Sequence, residues 1–199
     1  MAAPFGQRFD QARLINIANG LTATRVLLVP LFAYLLISDR FRLALLVFAV
    51  CGTSDMLDGL LARWLRQRTV VGFYLDPIAD KLLMATSFVV LAIVKVVPVW
   101  LAIMVISRDI FILIGSLLIL LLLDSGQIAA TGISKGNTAI QILTVIYFLT
   151  IRAFPGIWNL FAAGVEERVT EAVVTLCALS TAASGIHYLV IGIRKLSRA

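Results

Sequence analysis

Six stretches of this chain, residues 21–37, 41–65, 73–97, 99–123, 134–154 and 171–193, are apolar over about the length that crosses a bilayer. A hydrocarbon core roughly 30 Å thick takes about 20 helical residues. The breaks between the stretches carry turn-forming and charged residues: Ser38-Asp39-Arg40, Arg66-Gln67-Arg68, Pro98, Asp124-Ser125-Gly126, and Pro155-Gly156 followed by Glu166-Glu167-Arg168. Composition agrees, with 61% hydrophobic and 14% charged residues and a mean hydropathy of +1.01, against about 45–50% and 25% in a soluble domain. The expected fold is an all-α integral membrane protein. A six-transmembrane-helix bundle spans residues 20–199, preceded by an N-terminal amphipathic interfacial helix over 1–19, in one domain of 199 residues.

A net charge of +6 would suggest nucleic acid in a soluble chain. Here it reads as topology-setting flanks and affinity for anionic headgroups, with no nucleic-acid partner. Six spans put both termini on one side, together with Arg8, Arg13, Arg63, Arg66, Arg68, Lys135, Arg194, Lys195 and Arg198. The other side holds Arg40, Arg42, Lys95, Arg152 and Arg168, the last among three glutamates. The positive-inside rule therefore predicts cytoplasmic termini and a cytoplasmic loop around Arg63–Gly72. Cys51 and Cys177 fall inside apolar runs and are expected as buried small hydrophobes. No transit-like presequence precedes the first span, which points to a bacterial inner membrane.

The second and third stretches carry acids that a plain anchor would avoid. Asp55 and Asp58 stand three apart with Ala62 four beyond, so the three share a helix face on which Gly59 and Ala62 add almost no bulk. Asp76 precedes Pro77, the pattern of an N-cap followed by proline at the first helical position, and Asp80 lies one turn on. The short link makes the two helices antiparallel neighbours and sets all four carboxylates near the cytoplasmic interface. Four negatives so close cannot all stay ionised without a counter-charge. With no Cys or His nearby, an oxygen-only set selects a hard cation, Mg²⁺, Mn²⁺ or Ca²⁺. Such an ion completes its shell with phosphates, so the chemistry indicated is transfer at phosphorus, with Arg63 a fork for phosphate oxygens.

The string Asp-x2-Asp-Gly-x2-Ala-Arg-x8-Gly-x3-Asp-x3-Asp, filled by Asp55, Asp58, Gly59, Ala62, Arg63, Gly72, Asp76 and Asp80, resembles the signature of the CDP-alcohol phosphotransferases. Asn16-Ile-Ala-Asn19-Gly-Leu-Thr22-Ala-Thr-Arg25 with Pro30, and Asp76-Pro-Ile-Ala-Asp80-Lys81, are similar to the branch that makes phosphatidylglycerophosphate and cardiolipin. Ser107-Arg108-Asp109, Ile133-Ser-Lys135-Gly-Asn137-Thr138-Ala-Ile-Gln141 and the weaker Thr181-Ala-Ala-Ser184 look most like eukaryotic-type cardiolipin synthases. The resemblance implies six transmembrane helices, a homodimer, and a divalent-metal site (Mg²⁺ or Mn²⁺, two ions) at which an alcohol displaces CMP from CDP-diacylglycerol. By the same resemblance Asp55, Asp58 and Asp76 bind metal. Asp80 is the base and also touches the second ion. Asp58, Gly59, Ala62, Arg63 and Gly72 receive the CDP group.

Arg108 and Lys135 are the candidate acceptor-side cations, because polar residues inside spans are functional by default. The competing assignments are a local pair of Arg108 with Asp109 and a snorkelling Lys135. Phosphatidylglycerol is the preferred acceptor, giving cardiolipin; glycerol 3-phosphate is the alternative, and both are anionic. A cation transporter could also use intramembrane aspartates, but it has no need of Gly59, Ala62, Arg63 and Gly72 at this spacing. An intramembrane aspartyl protease usually sets one aspartate in Gly-x-Gly-Asp, which is absent here.

Overall fold

The computed structural model describes residues 17–64, 70–123, 131–156 and 164–196; of these, the side chains of 17–23, 25, 55–80, 117–123 and 195–196 lie outside the description. The interfacial helix expected over 1–19 falls almost wholly outside the described residues. The order is all-helical: α1 (Ile17–Ile37), α2 (Phe41–Trp64), α3 (Val70–Ile93), α4 (Val99–Leu123), α5 (Gly132–Ala153) and α6 (Val165–Leu196). Among the described residues, two helices are long and apolar enough to cross a membrane, with spans at Val99–Ser116 and Val165–Arg194.

The chain divides into two compact units, Met1–Thr86 and Ser87–Ala199. In the first, α1 and α2 pack together through Phe32, Leu36, Ala44 and Phe48, all buried. The rings of Phe32 and Phe48 meet at 5.8 Å between centroids. Ser38 to Arg40 reverse the chain between them. Asp39 takes a left-handed φ of 56°, the amide of Arg40 bonds the Leu35 carbonyl at 2.8 Å, and that of Asp39 bonds Leu36 at 3.2 Å. These two bonds make a Schellman cap, which satisfies carbonyls that the helix end would otherwise leave bare.

The second unit is built on α6, against which both α4 and α5 pack. Tyr147 Oη meets Thr170 Oγ1 at 2.7 Å, and Asn137 Oδ1 accepts from Thr181 Oγ1 at 3.2 Å. As α5 advances from 137 to 147, its partners on α6 recede from 181 to 170, so the two helices are antiparallel. Leu101, Val105, Val145, Phe148, Leu149 and Cys177 form the apolar interior. Cys51 and Cys177 are buried and neither is in a disulfide, as their settings imply.

Large apolar side chains face outward on both units. Leu27 is 74% exposed, Phe111 69%, Leu143 64% and Ile193 65%, while Arg108, Asn137, Gln141, Thr144, Thr181 and Ser184 are buried. Apolar outside and hydrogen-bonded polar inside is the arrangement that suits lipid as the solvent. Hydroxyls on the helices follow the same logic: Thr53, Thr144 and Thr150 each donate to a carbonyl four residues back in their own helix.

Several boundaries shift by a few residues from the sequence expectation, and two of the shifts change how a residue is read. α6 begins at Val165 rather than near 171 and takes in Glu166 and Glu167 in its first turn, where acids oppose the positive end of the helix dipole. α3 begins at Val70, so Asp76 is not an N-cap. The apolar turn from Val70 to Leu75 is helical in its own right, and Pro77 lies inside the helix, where it lacks the amide for a bond to the carbonyl of residue 73 and its ring crowds that carbonyl.

Candidate active site

The aspartate string occupies the end of one helix and the start of the next. Asp55, Asp58, Gly59, Ala62 and Arg63 lie in the last three turns of α2, and Gly72, Asp76 and Asp80 in the first three turns of α3. Continuous helix through both segments keeps the register that the spacing requires. Asp55, Asp58 and Ala62 share one face of α2, and Asp76 and Asp80 share one face of α3. All eight positions belong to the first unit. The connection, residues 65–69, is short; even fully extended it holds the two helix ends within about 20 Å. The side chains of all eight positions lie outside the described residues. Elsewhere among the described residues no group of three or more His, Cys, Asp or Glu is placed to hold a metal ion.

The donor chemistry fits a divalent cation. Four carboxylates on two consecutive helices, with no His or Cys in either segment, are a hard, oxygen-rich set.

The second unit carries the other polar centre. Arg108, on α4 and 7% exposed, donates from Nη1 to Asp109 Oδ1 at 2.6 Å. From Nη2 it donates to Ser134 Oγ on α5 at 2.8 Å and to Ser184 Oγ on α6. Its guanidinium carbon lies 5.9 Å from the centroid of the Tyr188 ring, within cation–π range. One side chain thus ties three helices together. The local pair with Asp109 exists, and it accounts for one arm of the guanidinium only. Lys135, the other candidate for the acceptor side, is exposed near the start of α5, one residue from Ser134.

One turn further along the same seam a second network begins. Gln141 Nε2 donates to Thr181 Oγ1 at 3.4 Å, Thr181 donates to Asn137 Oδ1, and Ser180 Oγ lies 2.9 Å from the same oxygen. Ser134, Asn137, Gln141, Thr181 and Ser184 had no role on sequence grounds. The available signal was polar residues at positions 134, 137, 141 and 144, one helical face within an apolar span. A cavity of about 490 Å³ opens between α4 and α6, with Arg108 and Thr181 on its wall among apolar neighbours such as Met104, Phe111 and Leu189.

Comparison with known proteins bears on this arrangement. The sequence profile of the CDP-alcohol phosphatidyltransferase family matches residues 15–190. The chain is 36% identical to the human cardiolipin synthase (CMP-forming) over 155 residues, covering 70% of this chain and 52% of that protein. A probable phosphatidylglycerophosphate synthase of Mycobacterium tuberculosis is 28% identical over 197 residues, 96% of this chain and 88% of that one. The CDP-diacylglycerol–glycerol-3-phosphate 3-phosphatidyltransferase of Bacillus subtilis is 32% identical over 148 residues, 66% of this chain and 75% of its own. The chain spans about half the length of the cardiolipin synthases of human and rat that it matches.

Proposed function

The chain belongs to the CDP-alcohol phosphatidyltransferase family, and from that membership we propose that it transfers the phosphatidyl group of CDP-diacylglycerol to phosphatidylglycerol, releasing CMP and forming cardiolipin. The observation that carries this is the complete eight-position string on α2 and α3, held in helical register within one unit. The choice of acceptor is supported by the higher identity to the human cardiolipin synthase, 36%, than to the two glycerol-phosphate enzymes, 28% and 32%. Glycerol 3-phosphate, giving phosphatidylglycerophosphate, is the second reading, favoured by the greater share of those two relatives that the match covers.

In this reading Asp80 accepts the proton of the acceptor hydroxyl, whose oxygen bonds to the β-phosphorus of CDP-diacylglycerol as the bond from that phosphorus to the bridging oxygen breaks and CMP departs with the electron pair. The hydroxyl must come within about 3 Å of the Asp80 carboxylate. Gly59, Ala62 and Gly72, lacking bulk, let the nucleotide approach the backbone, with Asp58 and Arg63 beside it. Arg63 offers a planar fork to the diphosphate. Arg108 and Lys135 hold the anionic group of the acceptor. The family generally depends on a divalent cation. Here Asp55, Asp58, Asp76 and Asp80 would hold Mg²⁺ or Mn²⁺, two ions in all, and the bound metal supplies charge stabilisation for the leaving phosphate.

The whole chain is read as one domain, a homodimer of six-helix bundles with the interfacial helix over 1–19. The Lys and Arg distribution supports cytoplasmic termini and a cytoplasmic active site. The membrane is read as a bacterial inner one, since the two bacterial relatives are matched over more of their length than the human protein. One experiment tests the reaction. Purified protein with Mg²⁺ or Mn²⁺ and CDP-diacylglycerol is offered each acceptor in turn, and CMP and lipid products are resolved by mass. Cardiolipin and CMP are expected; folded protein that releases no CMP with either acceptor would refute the synthase reading.

A further inference from the structure

Glycine interrupts both helices that bound the 490 Å³ cavity, at Gly115 on α4 and at Gly185 and Gly192 on α6. Glycine inside a helix is unfavourable, and in a membrane helix it usually admits a close neighbour. No neighbour is close here. A Cβ at Gly115 or Gly192 would meet no described atom within 4 Å, and one at Gly185 would meet only the Arg108 stem at 3.8 Å. What the missing side chains keep open is the cavity itself.

The cavity is a groove within the second unit, lined from Met104 to Ser116 on α4 and from Thr181 to Ile193 on α6. Twelve residues of helix rise about 18 Å. Spread over that length, 490 Å³ gives a mean section of about 27 Å². An α-helix, roughly 10 Å across, needs about three times as much, whereas one extended hydrocarbon chain fits. Phe111, Ile186, Leu189 and Ile193 line the groove and are exposed, so it reaches the surface that lipid covers.

Lipid tails are as apolar as this wall, so burial alone favours no particular lipid. A polar handle can. Arg108 borders the groove. Its Nη1 donates to Asp109 and its Nη2 to Ser134 and Ser184, while its buried Nε has no partner among the described residues. A buried donor without a partner calls for one acceptor oxygen. A phospholipid brings both parts, an apolar chain and, at its head, ester and phosphate oxygens.

We propose that the α4–α6 groove holds one acyl chain of phosphatidylglycerol, so that the acceptor enters as a lipid from the bilayer rather than as a soluble glycerol phosphate. The assignment rests on the phosphatidyl-transfer reading for the identity of the lipid, because that reading gives Arg108 to the acceptor.

The test uses the full chain in detergent micelles. Phosphatidylglycerol carrying a photoactivatable diazirine in one acyl chain is cross-linked to the protein, and the labelled peptides are located by mass. Label is expected on 104–116 and 181–193, diluted out by plain phosphatidylglycerol and not by CDP-diacylglycerol. G115L and G192L fill the groove from either wall and, leucine being the better helix former, should not lower the unfolding temperature. Each should reduce the labelling and raise the KM of phosphatidylglycerol roughly tenfold, the scale on which added methylenes overfill a site, with that of CDP-diacylglycerol unchanged. L113F adds bulk at an exposed α4 position off the groove and should change neither. Alanine at both glycines, with a smaller loss, serves if the leucine variants do not fold.

Label equally strong on apolar faces away from the groove, or displaced by CDP-diacylglycerol, overturns the proposal. So does an unchanged KM for phosphatidylglycerol in the folded leucine variants. Leucine variants that split a dimer and leave the labelling intact would give the groove to a second copy, which also overturns it. Groove-specific label lost in G192L, without CMP release, would refute the synthase reading and leave the chain site standing. Cardiolipin and CMP formed with unlocalised label would do the reverse.

Discussion

Asp80 is the residue on which the proposed chemistry turns, and the substitution that isolates it is Asp80→Asn. Asparagine keeps the shape and can still offer an oxygen, but it cannot take a proton at neutral pH. Removing a general base costs about 10²- to 10⁴-fold in rate, so kcat should fall by that much. Nucleotide binding, measured by titration with CDP-diacylglycerol, should persist. A full transfer rate in folded D80N would move the base elsewhere. Arg108 shows what the residue scale hides from a sequence. Its neighbour Asp109 suggested a closed local pair, yet the guanidinium also spends bonds on Ser134 and Ser184, which lie 26 and 76 positions away. Neither partner could be read from spacing along one helix.

Among the elements, α1 and α3 end by the same device. Asp39 and Lys95 both hold a left-handed backbone, at φ 56° and 58°. At α3 the amide of Val96 bonds the Leu91 carbonyl at 2.8 Å and that of Lys95 bonds Ala92 at 3.1 Å, again a Schellman cap. Glycine is the usual occupant, because a side chain in this conformation costs about 1–2 kcal/mol. Aspartate tolerates it through local hydrogen bonding, whereas lysine has no such compensation. Lys95→Gly should therefore stabilise the folded protein by roughly 0.5–1 kcal/mol after the extra entropy of glycine in the unfolded chain is subtracted. Asp39→Gly should do less. Thermal unfolding in detergent compares the two, and a larger gain for Asp39→Gly would contradict the capping argument. Apolar periodicity located five of the six helix starts to within a few residues. It failed at α6 because three charged residues open that helix, and hydropathy does not see a charged turn that continues as helix.

For the molecule as a whole, the proposed metal site on the carboxylate set would make activity conditional on a divalent cation. Chelation should abolish CMP release, and Mg²⁺ or Mn²⁺ should restore it while an equal concentration of a monovalent salt does not. Activity that survives exhaustive chelation would contradict the metal assignment. The string of aspartates, glycines, alanine and arginine was legible in the sequence because its logic is local. Two helices with fixed i, i+3 and i, i+4 spacings present their acids at adjoining ends whatever surrounds them. The bonds that join Arg108, Ser134, Asn137, Thr181 and Ser184 were not legible, although Arg108 and the segments holding the others were. Each of those residues alone is an ordinary polar interruption of an apolar span, and α4, α5 and α6 had to pack before their bonds could close. Sequence by itself determined an apolar helical chain and an eight-position acidic motif in helical register, since both follow from the period of one helix. Tertiary structure alone decided which buried donors among the described residues find partners, because hydrogen bonding between helices depends on register across the chain, which no local period encodes.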